Sequence, residues 1–401
     1  MTAKLRVGVV GAGRGASIGH LFHLHPDAEV VALCEILADR HAGARRLLPN
    51  LEATYTEFDA MLEHGLDAVY VANFPYEHVP LVLKALEAGV HVLSEVEVCR
   101  TLAEGVALAR AVEKSDALYA YGHNTRYYGT VLEMERLFRE GELGEFIYGE
   151  GEYVHERRIV AHRISYLDHE QRRKPGGLYC THALGPILDI TGTRPVRCTG
   201  FTTPNRLNRL TGSERDDVAA FMCEMDTGAL VKVMLASGIR RQPIMHWYCI
   251  YGTRGQAENQ RSPHEEMLHV YLDHDDGEGK RRSYVPAFPY ELKWLPQAGG
   301  YHGGADPYMV DDFVRAMLEG GPPPIDVYRA LDMSLPGIVA LRSAFEGSVP
   351  MEVPDFRDEA VRARYENDTW TAPRGSVHGD VEIPPEVYEE RRRRTLEAFG
   401  R

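Results

Sequence analysis

Lysine is scarce in this 401-residue chain. Only Lys4, Lys84, Lys114, Lys174, Lys232, Lys280 and Lys293 occur, so nearly all of the 45 basic residues are arginine. Basic residues are outnumbered by 59 acidic ones, which leaves a formal net charge of −14. An acidic chain lacks the basic footprint that nucleic acids and anionic membranes require, so both are excluded as general partners. Six cysteines are present without a single Cys-x-x-Cys pair, which excludes a zinc knuckle and a dithiol motif. Several lie in apolar, strand-like stretches and read as buried free thiols of a reducing compartment. No apolar run reaches the roughly 18 residues of a membrane span, and no charged-then-apolar leader precedes the first strand, so the expected location is cytoplasmic.

What is present is an ordinary globular composition, 44% hydrophobic and 26% charged, in a chain long enough for two or three domains of roughly 150 residues each. The first 120 residues alternate short β-branched runs with helical patterns. Leu5–Val10, Val30–Cys34, Asp67–Ala72, Val90–Leu93 and Ala117–Ala120 read as strands, and Ile36–Leu48, His78–Ala88 and Leu102–Lys114 as helices. That alternation predicts βαβ units around a parallel, doubly wound sheet. After a helix over Thr130–Glu140, strand-like stretches dominate: Phe146–His155, Val196–Phe201, Val218–Met225, Leu230–Ala236, His246–Tyr251 and Leu268–Leu272. Turn pairs link many of them, which predicts a mostly antiparallel open sheet. Helices return at Pro307–Glu319 and Val327–Gly347. The expected fold is therefore α/β, with a Rossmann domain over 1–122, an α/β domain over 123–370 and a polar tail over 371–401 that contains one helix. The Arg391–Arg394 run in that tail has no interleaved aromatics and reads as a solvated helix face or a subunit contact.

Gly11-Ala12-Gly13-Arg14-Gly15-Ala16 follows the first strand and opens a helical stretch. Gly11 permits the tight turn, Gly13 lets a pyrophosphate approach the backbone, and Ala16 lets helix and strand pack closely. The helix N-terminus then receives the diphosphate. Glu35 ends the second strand, 22 residues beyond Gly13. A carboxylate there accepts hydrogen bonds from ribose hydroxyls and repels a 2′-phosphate, so the expected cofactor is NAD rather than NADP.

The chain at this point resembles the Gfo/Idh/MocA oxidoreductase family, from Leu5 to about residue 370. The stretch Val71–His78 is similar to the family loop beside the cofactor, and Ala85–Glu95 to the lead into its Glu-Lys-Pro motif. Asn124 and Arg126 resemble the start of its second domain. The resemblance implies cofactor contacts from Asn73, Phe74, His78, Glu95, Val96 and Asn124, and a substrate contact from Arg126. It also implies a sugar- or cyclitol-like substrate and a homo-oligomer, dimer or tetramer, formed through the sheet of the second domain.

Two departures stand out. Glu-Lys-Pro reads Glu95-Val96-Glu97, so the family's proton-handling lysine is absent. The Asp four residues before the family histidine is Leu178, whereas Tyr179-Cys180-Thr181-His182 is similar to the Tyr-x-x-His segment of the NAD-dependent family 109 glycoside hydrolases. Glu95-Val96, Tyr153 and His302-Gly303-Gly304 resemble the same branch. Hydride removal from a carbinol needs a base for the hydroxyl proton, and imidazole, with a reference pKa near 6.5, suits neutral pH. His182 is the candidate base, with Tyr179 as its partner or as an acid toward a leaving group. A structural histidine at a helix start is the alternative.

Alternation along Tyr153-Val154-His155-Glu156-Arg157 puts Tyr153, His155 and Arg157 on one face, which suits a sugar, with a solvated outer face as the alternative. Arg163 and Tyr166 are further candidates for that pocket, and His302 is one from the glycine-rich segment before a later helix. The gaps between His155, His162, His169 and His182 fit no standard ligand set, so no metal is expected. A nucleophilic role for Cys180 would require a thiolate with a base partner, and none is assigned to it. Three activities remain open: an NAD-dependent dehydrogenase acting on a sugar, glycoside or cyclitol; a glycosidase that oxidises C3 transiently, eliminates the C1 substituent and rehydrates; and a non-catalytic dinucleotide sensor.

Overall fold

The computed structural model describes residues 3–155, 179–211, 216–239, 246–261, 266–274, 281–295, 302–373, 377–378 and 384–397. They divide into two compact units. The first comprises Met1–Tyr128, Phe288–Asp332 and Asp355–Trp370, and the second Gly129–Ala287, Met333–Pro354 and Thr371–Arg401.

The first unit is built on six parallel strands: β1 (Leu5–Val10), β2 (Ala28–Cys34), β3 (Ala53–Tyr55), β4 (Ala68–Val71), β5 (His91–Ser94) and β6 (Tyr119–Tyr121). Their order is β3-β2-β1-β4-β5-β6, the doubly wound arrangement expected from the alternating pattern. β1 pairs with β2 on one side and β4 on the other, so the connections diverge at its carboxyl end, where such sheets bind ligands. Val7, Val9 and Tyr70 from the sheet bury against Ile18, Leu21 and Phe22 of the Arg14–Leu24 helix. The Leu102–Lys114 helix lies where its three- and four-residue apolar spacing predicts, and the Thr101 hydroxyl accepts from the Glu104 N–H to cap it. Ile36–Leu48, read as one helix, is a 3₁₀ turn over Ala38–Arg40 followed by a helix over His41–Leu47.

The units are not continuous in sequence. Where the sequence reading drew one unbroken second domain over 123–370, residues 288–332 and 355–370 belong to the first unit. The reason is burial. The Ala305–Glu319 helix puts Met309, Val310, Phe313 and Val314 into the same core as Phe22, and the Phe313 and Phe22 rings meet edge to face at 6.2 Å.

Among its described residues the second unit carries nine strands: β7 (Phe146–Val154), β8 (Pro195–Thr202), β9 (Val218–Met225), β10 (Leu230–Ala236), β11 (His246–Gly252), β12 (Gly255–Asn259), β13 (Leu268–Leu272), β14 (Arg282–Tyr284) and β15 (Met351–Glu352). Their order is β14-β13-β12-β11-β7-β10-β9-β8-β15. Only the β7–β10 pair is parallel, so the sheet is mostly antiparallel. The Thr181–Thr191 helix covers one face. It comes so close that a Cβ on Gly151 of β7 would lie 1.9 Å from the Ala183 carbonyl oxygen, so glycine is required there. In the Pro385–Glu397 helix, Arg393 pairs with Glu390 and Glu397, and Arg394 with Glu390, so these arginines form ion pairs within a solvated helix. Among the described residues no helix is long and apolar enough to cross a membrane.

Candidate functional site

Two groups of candidate side chains stand out, one in each unit. In the first unit the loop after β1 turns at Gly11, whose φ of +94° lies in the left-handed region. A Cβ on Gly13 would meet nothing within 4 Å, so the protein itself does not demand that glycine, and the open side of the loop is where a pyrophosphate can approach. Gly13 caps the Arg14–Leu24 helix without a side-chain bond, so the first N–H groups of the helix remain free of an internal cap. Gly15 and Ala16 are buried in its first turn. The Glu35 carboxylate accepts the Ala12 N–H through one oxygen and the Leu37 N–H through the other, both at 2.9 Å. Each oxygen keeps a second lone pair for a ribose hydroxyl. This loop, helix end and carboxylate fit a dinucleotide.

Arg14, expected to bind cofactor, directs its guanidinium into the protein. Nε donates to Glu95 Oε1 at 2.8 Å, and Nη1 and Nη2 donate to the two oxygens of Asp306 at 2.8 Å each. Asp306 also meets His302 Nδ1 at 2.8 Å and accepts from Asn124 Nδ2 at 2.8 Å. Burial works to raise the Asp306 carboxyl, but the Arg14 and His302 hydrogen bonds outweigh it and hold the group down at about 2. Glu95 Oε1 also accepts the Tyr70 hydroxyl at 2.6 Å. Burial first, and then the Glu95 charge, push that phenol well above its ordinary range.

The loop after β4 is pinned by His78, buried between the Glu97 and Asn73 carbonyl oxygens at 3.0 and 3.3 Å. Burial lowers its pKa, and the neutral ring, with a single N–H, donates to one of these two carbonyls. Asn73 donates to Glu77 at 2.9 Å, and Phe74 stacks on Tyr76 with ring centroids 5.8 Å apart. Val96 is buried, and its N–H donates to Glu95 Oε2 at 3.2 Å. Among the described lysines, Lys84 pairs with Asp59, Lys232 with Glu150, and Lys4 donates to the His25 carbonyl, so none of these three serves as a proton carrier at the Val96 position.

In the second unit, the close approach at Gly151 seats the Thr181–Thr191 helix over β7 and sets His182 against Tyr153, with ring centroids 5.2 Å apart. His182 Nε2 lies 3.0 Å from the Tyr179 hydroxyl. Tyr153 OH meets His155 Nδ1 at 2.7 Å, and the Tyr153 and Tyr179 rings are 5.5 Å apart. β11 adds His246, in register with Tyr153 and 5.0 Å from it ring to ring. The result is a wall of aromatic and imidazole rings with a hydroxyl–imidazole pair at its edge. Cys180 is buried and its thiol donates to the Met333 carbonyl, which leaves it inert as a nucleophile.

The structure thus gathers Tyr153, His155, Tyr179 and His182 in the second unit, and Gly11, Gly13, Arg14, Gly15, Ala16, Glu35, Asn73, Phe74, His78, Glu95, Val96 and Asn124 in the first. Arg126 and His302, proposed from sequence as substrate contacts, also belong to the first unit, and His302 is held there by Asp306. Arg157, Arg163, Tyr166, His162, His169 and Leu178 lie outside the described residues. Among the described residues no three metal-ligating side chains gather. Sequence reasoning missed Tyr70, Asp306, His246 and Tyr248. Asp306 had a faint signal, its four-residue spacing from His302 in the first turn of a helix. The other three had none, because strand register alone brings them in.

Comparison with known proteins fits this picture. Residues 5–123 match the family described as oxidoreductase family, NAD-binding Rossmann fold, and residues 216–363 match the glycosyl hydrolase 109 C-terminal domain. A glycosyl hydrolase family 109 protein of Saccharopolyspora erythraea is 29% identical, over 88% of this chain and 83% of that one. A second, from Streptomyces niveus, is 27% identical over 92% and 80%. Among solved structures, a levoglucosan dehydrogenase in complex with NADH and levoglucosan shares the fold with a TM-score of 0.75 at 20% identity, covering 88% of this chain and all of that one. Residues 5–123 are thus similar to the NAD-binding domain of that oxidoreductase family, and residues 216–363 to the C-terminal domain of the family 109 glycosyl hydrolases.

Proposed function

We propose that the protein is an NAD-dependent enzyme that removes hydride from a secondary hydroxyl of a sugar, glycoside or cyclitol, with His182 as base and Tyr179 as its partner. The observation that carries this reading is the 3.0 Å contact between Tyr179 OH and His182 Nε2 on an aromatic wall. Bound NAD supplies a hydride acceptor. The glycine loop, the helix N-terminus and Glu35 would hold it, with Asn73, Phe74, His78, Glu95, Val96 and Asn124 as further contacts. With the Tyr179 hydroxyl donating to Nε2, a substrate hydroxyl bound to the Tyr179 oxygen passes its proton to the phenol as the phenol passes its own to the imidazole. The substrate C–H electron pair leaves with the hydride, so the carbinol becomes a carbonyl and His182 carries the proton. Tyr153, His155 and His246 offer ring faces to the apolar CH surface of a sugar. Arg126, Arg163 and His302 stand as substrate contacts within the same proposal.

The family 109 domain over 216–363 favours a second outcome from the same first step. An oxidised C3 acidifies C2–H. Loss of that proton then expels the C1 substituent, water adds across the double bond, and the hydride returns. A panel of cyclitols, free sugars and p-nitrophenyl glycosides, assayed with and without added NAD, separates the readings. NADH accumulation at 340 nm supports the dehydrogenase, and nitrophenol release without net NADH supports the glycosidase. Silence in both assays, with NAD bound, returns the sensor. His182→Ala is expected to abolish turnover and leave NAD affinity unchanged, and near-full activity in that variant overturns the base assignment.

The same proposal extends to assembly and location. β-strand alternation puts Phe201, Met222, Leu230 and Tyr251 on the sheet face opposite the Thr181–Thr191 helix, and all four are exposed. Arg197–Glu224 and Lys232–Glu150 pairs lie among them. This mixed apolar and paired-charge face suits self-association into a dimer or tetramer. All six cysteines are buried and free, in keeping with a reducing, cytoplasmic setting.

A further inference from the structure

Pro186 lies inside the Thr181–Thr191 helix, four residues after His182. Proline has no N–H, so the helical donor that would reach the His182 carbonyl is missing, and the pyrrolidine ring crowds that same oxygen. A buried carbonyl left without a donor is costly, and this one belongs to the residue proposed as the base. The structure fills the gap from another element. The Tyr248 hydroxyl, on β11, donates to the His182 carbonyl oxygen at 2.6 Å. Tyr248 is fully buried. It lies on the same face of β11 as His246, and their rings are stacked with centroids 6.3 Å apart. One face of one strand therefore supplies both a ring of the aromatic wall and the donor that holds the His182 peptide.

We infer that Tyr248 is a positioning residue for the reaction: its hydroxyl replaces the N–H that Pro186 lacks and fixes the His182 backbone, so that the imidazole stays in register with Tyr179. This rests on the assignment of His182 above. The sequence couples two distant positions, since a proline in the helix is tolerated at this point because a tyrosine on the strand completes the hydrogen bond.

The coupling makes the idea testable with four full-length proteins: the native chain, Tyr248→Phe, Pro186→Ala and the double variant. Tyr248→Phe keeps the ring and removes the donor. It is expected to lower kcat about 10-fold with KM within about 2-fold, because a small displacement of a catalytic group acts on the chemical step rather than on binding. The NMR titration of the His182 ring, read without substrate, is expected to move with it. Pro186→Ala restores a helical N–H, so in that background Tyr248→Phe is expected to change kcat less than about 3-fold, and the loss in thermal midpoint is expected to shrink in step. Equal effects of Tyr248→Phe in both backgrounds, or an unmoved His182 titration and kcat, overturn the proposal. Should Tyr248→Phe fail to fold, the double variant is expected to recover folding, and its failure to do so overturns the proposal as well. The thermal and NMR coupling is independent of turnover. An active His182→Ala variant would therefore remove the base assignment, while the coupling would still report whether Tyr248 serves the His182 carbonyl.

Discussion

Gly151→Ala is the sharpest single perturbation of the second unit, which carries the proposed base. A Cβ at that position would lie 1.9 Å from the Ala183 carbonyl oxygen, where ordinary contact needs at least 3.4 Å. The helix and β7 must therefore separate by about 1.5 Å, because the obstacle is backbone and not the end of a flexible side chain. Overpacking of this kind costs about 1–3 kcal/mol. For a body of about 200 residues that corresponds to a fall of roughly 2–12 °C in Tm. The catalytic consequence is larger. Ala183 follows His182 directly, so the displacement carries the imidazole away from Tyr153, and an error of about 1 Å can lower a rate about 100-fold. The assay is kcat on the panel substrate, beside Tm and NAD affinity by fluorescence titration. The expected result is a folded protein with unchanged NAD affinity and a kcat lowered by about two orders of magnitude. A variant that loses Tm but keeps kcat within about 3-fold would refute the claim that helix-to-strand distance sets the geometry of the site.

Asp306 gives a pH prediction in the first unit. Its carboxyl is held at about 2, below the ordinary aspartate value of 3.8, so the folded protein gains stability that is present above pH ~4 and lost as pH falls through about 2. The difference amounts to about 2 kcal/mol at neutral pH, and Asp306→Asn is expected to flatten the acid limb of the urea-midpoint profile between pH 4 and 2; an unchanged limb would count against the Arg14–Asp306 pairing as its source. Glu35→Ala is expected to weaken NAD about 10-fold or more, as fits loss of hydrogen bonds to a charged acceptor, and to narrow the gap between NAD and NADP in calorimetric titration; unchanged NAD affinity sinks the ribose assignment. On the open sheet face, Phe201→Glu combined with Met222→Glu is expected to shift the sedimentation coefficient to that of a monomer without loss of Tm, and an unaltered oligomer would place the subunit contact elsewhere.

Much of the frame was legible because its causes are local. Leu5–Val10, Val218–Met225 and Leu268–Leu272 are short apolar runs between turn signals, and they form strands over those same residues. What escaped was structure imposed from outside the segment. Gly255–Asn259 reads Gly-Gln-Ala-Glu-Asn, with no β-branched residue, and becomes a strand because β11 and β13 pair with it on both sides. Ala53–Tyr55 and Met351–Glu352 are too short to show a period. The return of residues 288–332 to the first unit leaves no local mark, because an apolar helical stripe does not say which core it fills. The same division holds at the site. Gly11–Ala16 and Tyr179–His182 are contiguous motifs and were visible. His246 beside Tyr153 depends on register across a sheet, and the Arg14 side chain occupies a position that the glycine pattern leaves open.

The missing lysine ties these observations together. A cation at position 96 would sit beside the Glu95 carboxylate, and in its absence a buried negative charge must be balanced from elsewhere. The balance comes from Arg14, whose guanidinium bridges Glu95 and Asp306 and is fixed by both. Unlike an ammonium, a guanidinium does not release its proton in a protein, so Arg14 balances the charge without offering a proton carrier. In the first unit Arg14 pairs with both Glu95 and Asp306, and burial pushes the Tyr70 phenol well above its ordinary range, so that it keeps its proton at neutral pH. The Tyr179–His182 pair in the second unit is a group of the right chemistry with a geometry that permits transfer. The scarcity of lysine is thus more than a bias of composition. On the proposed reading, the first unit holds charge fixed while the Tyr179–His182 pair of the second moves the proton.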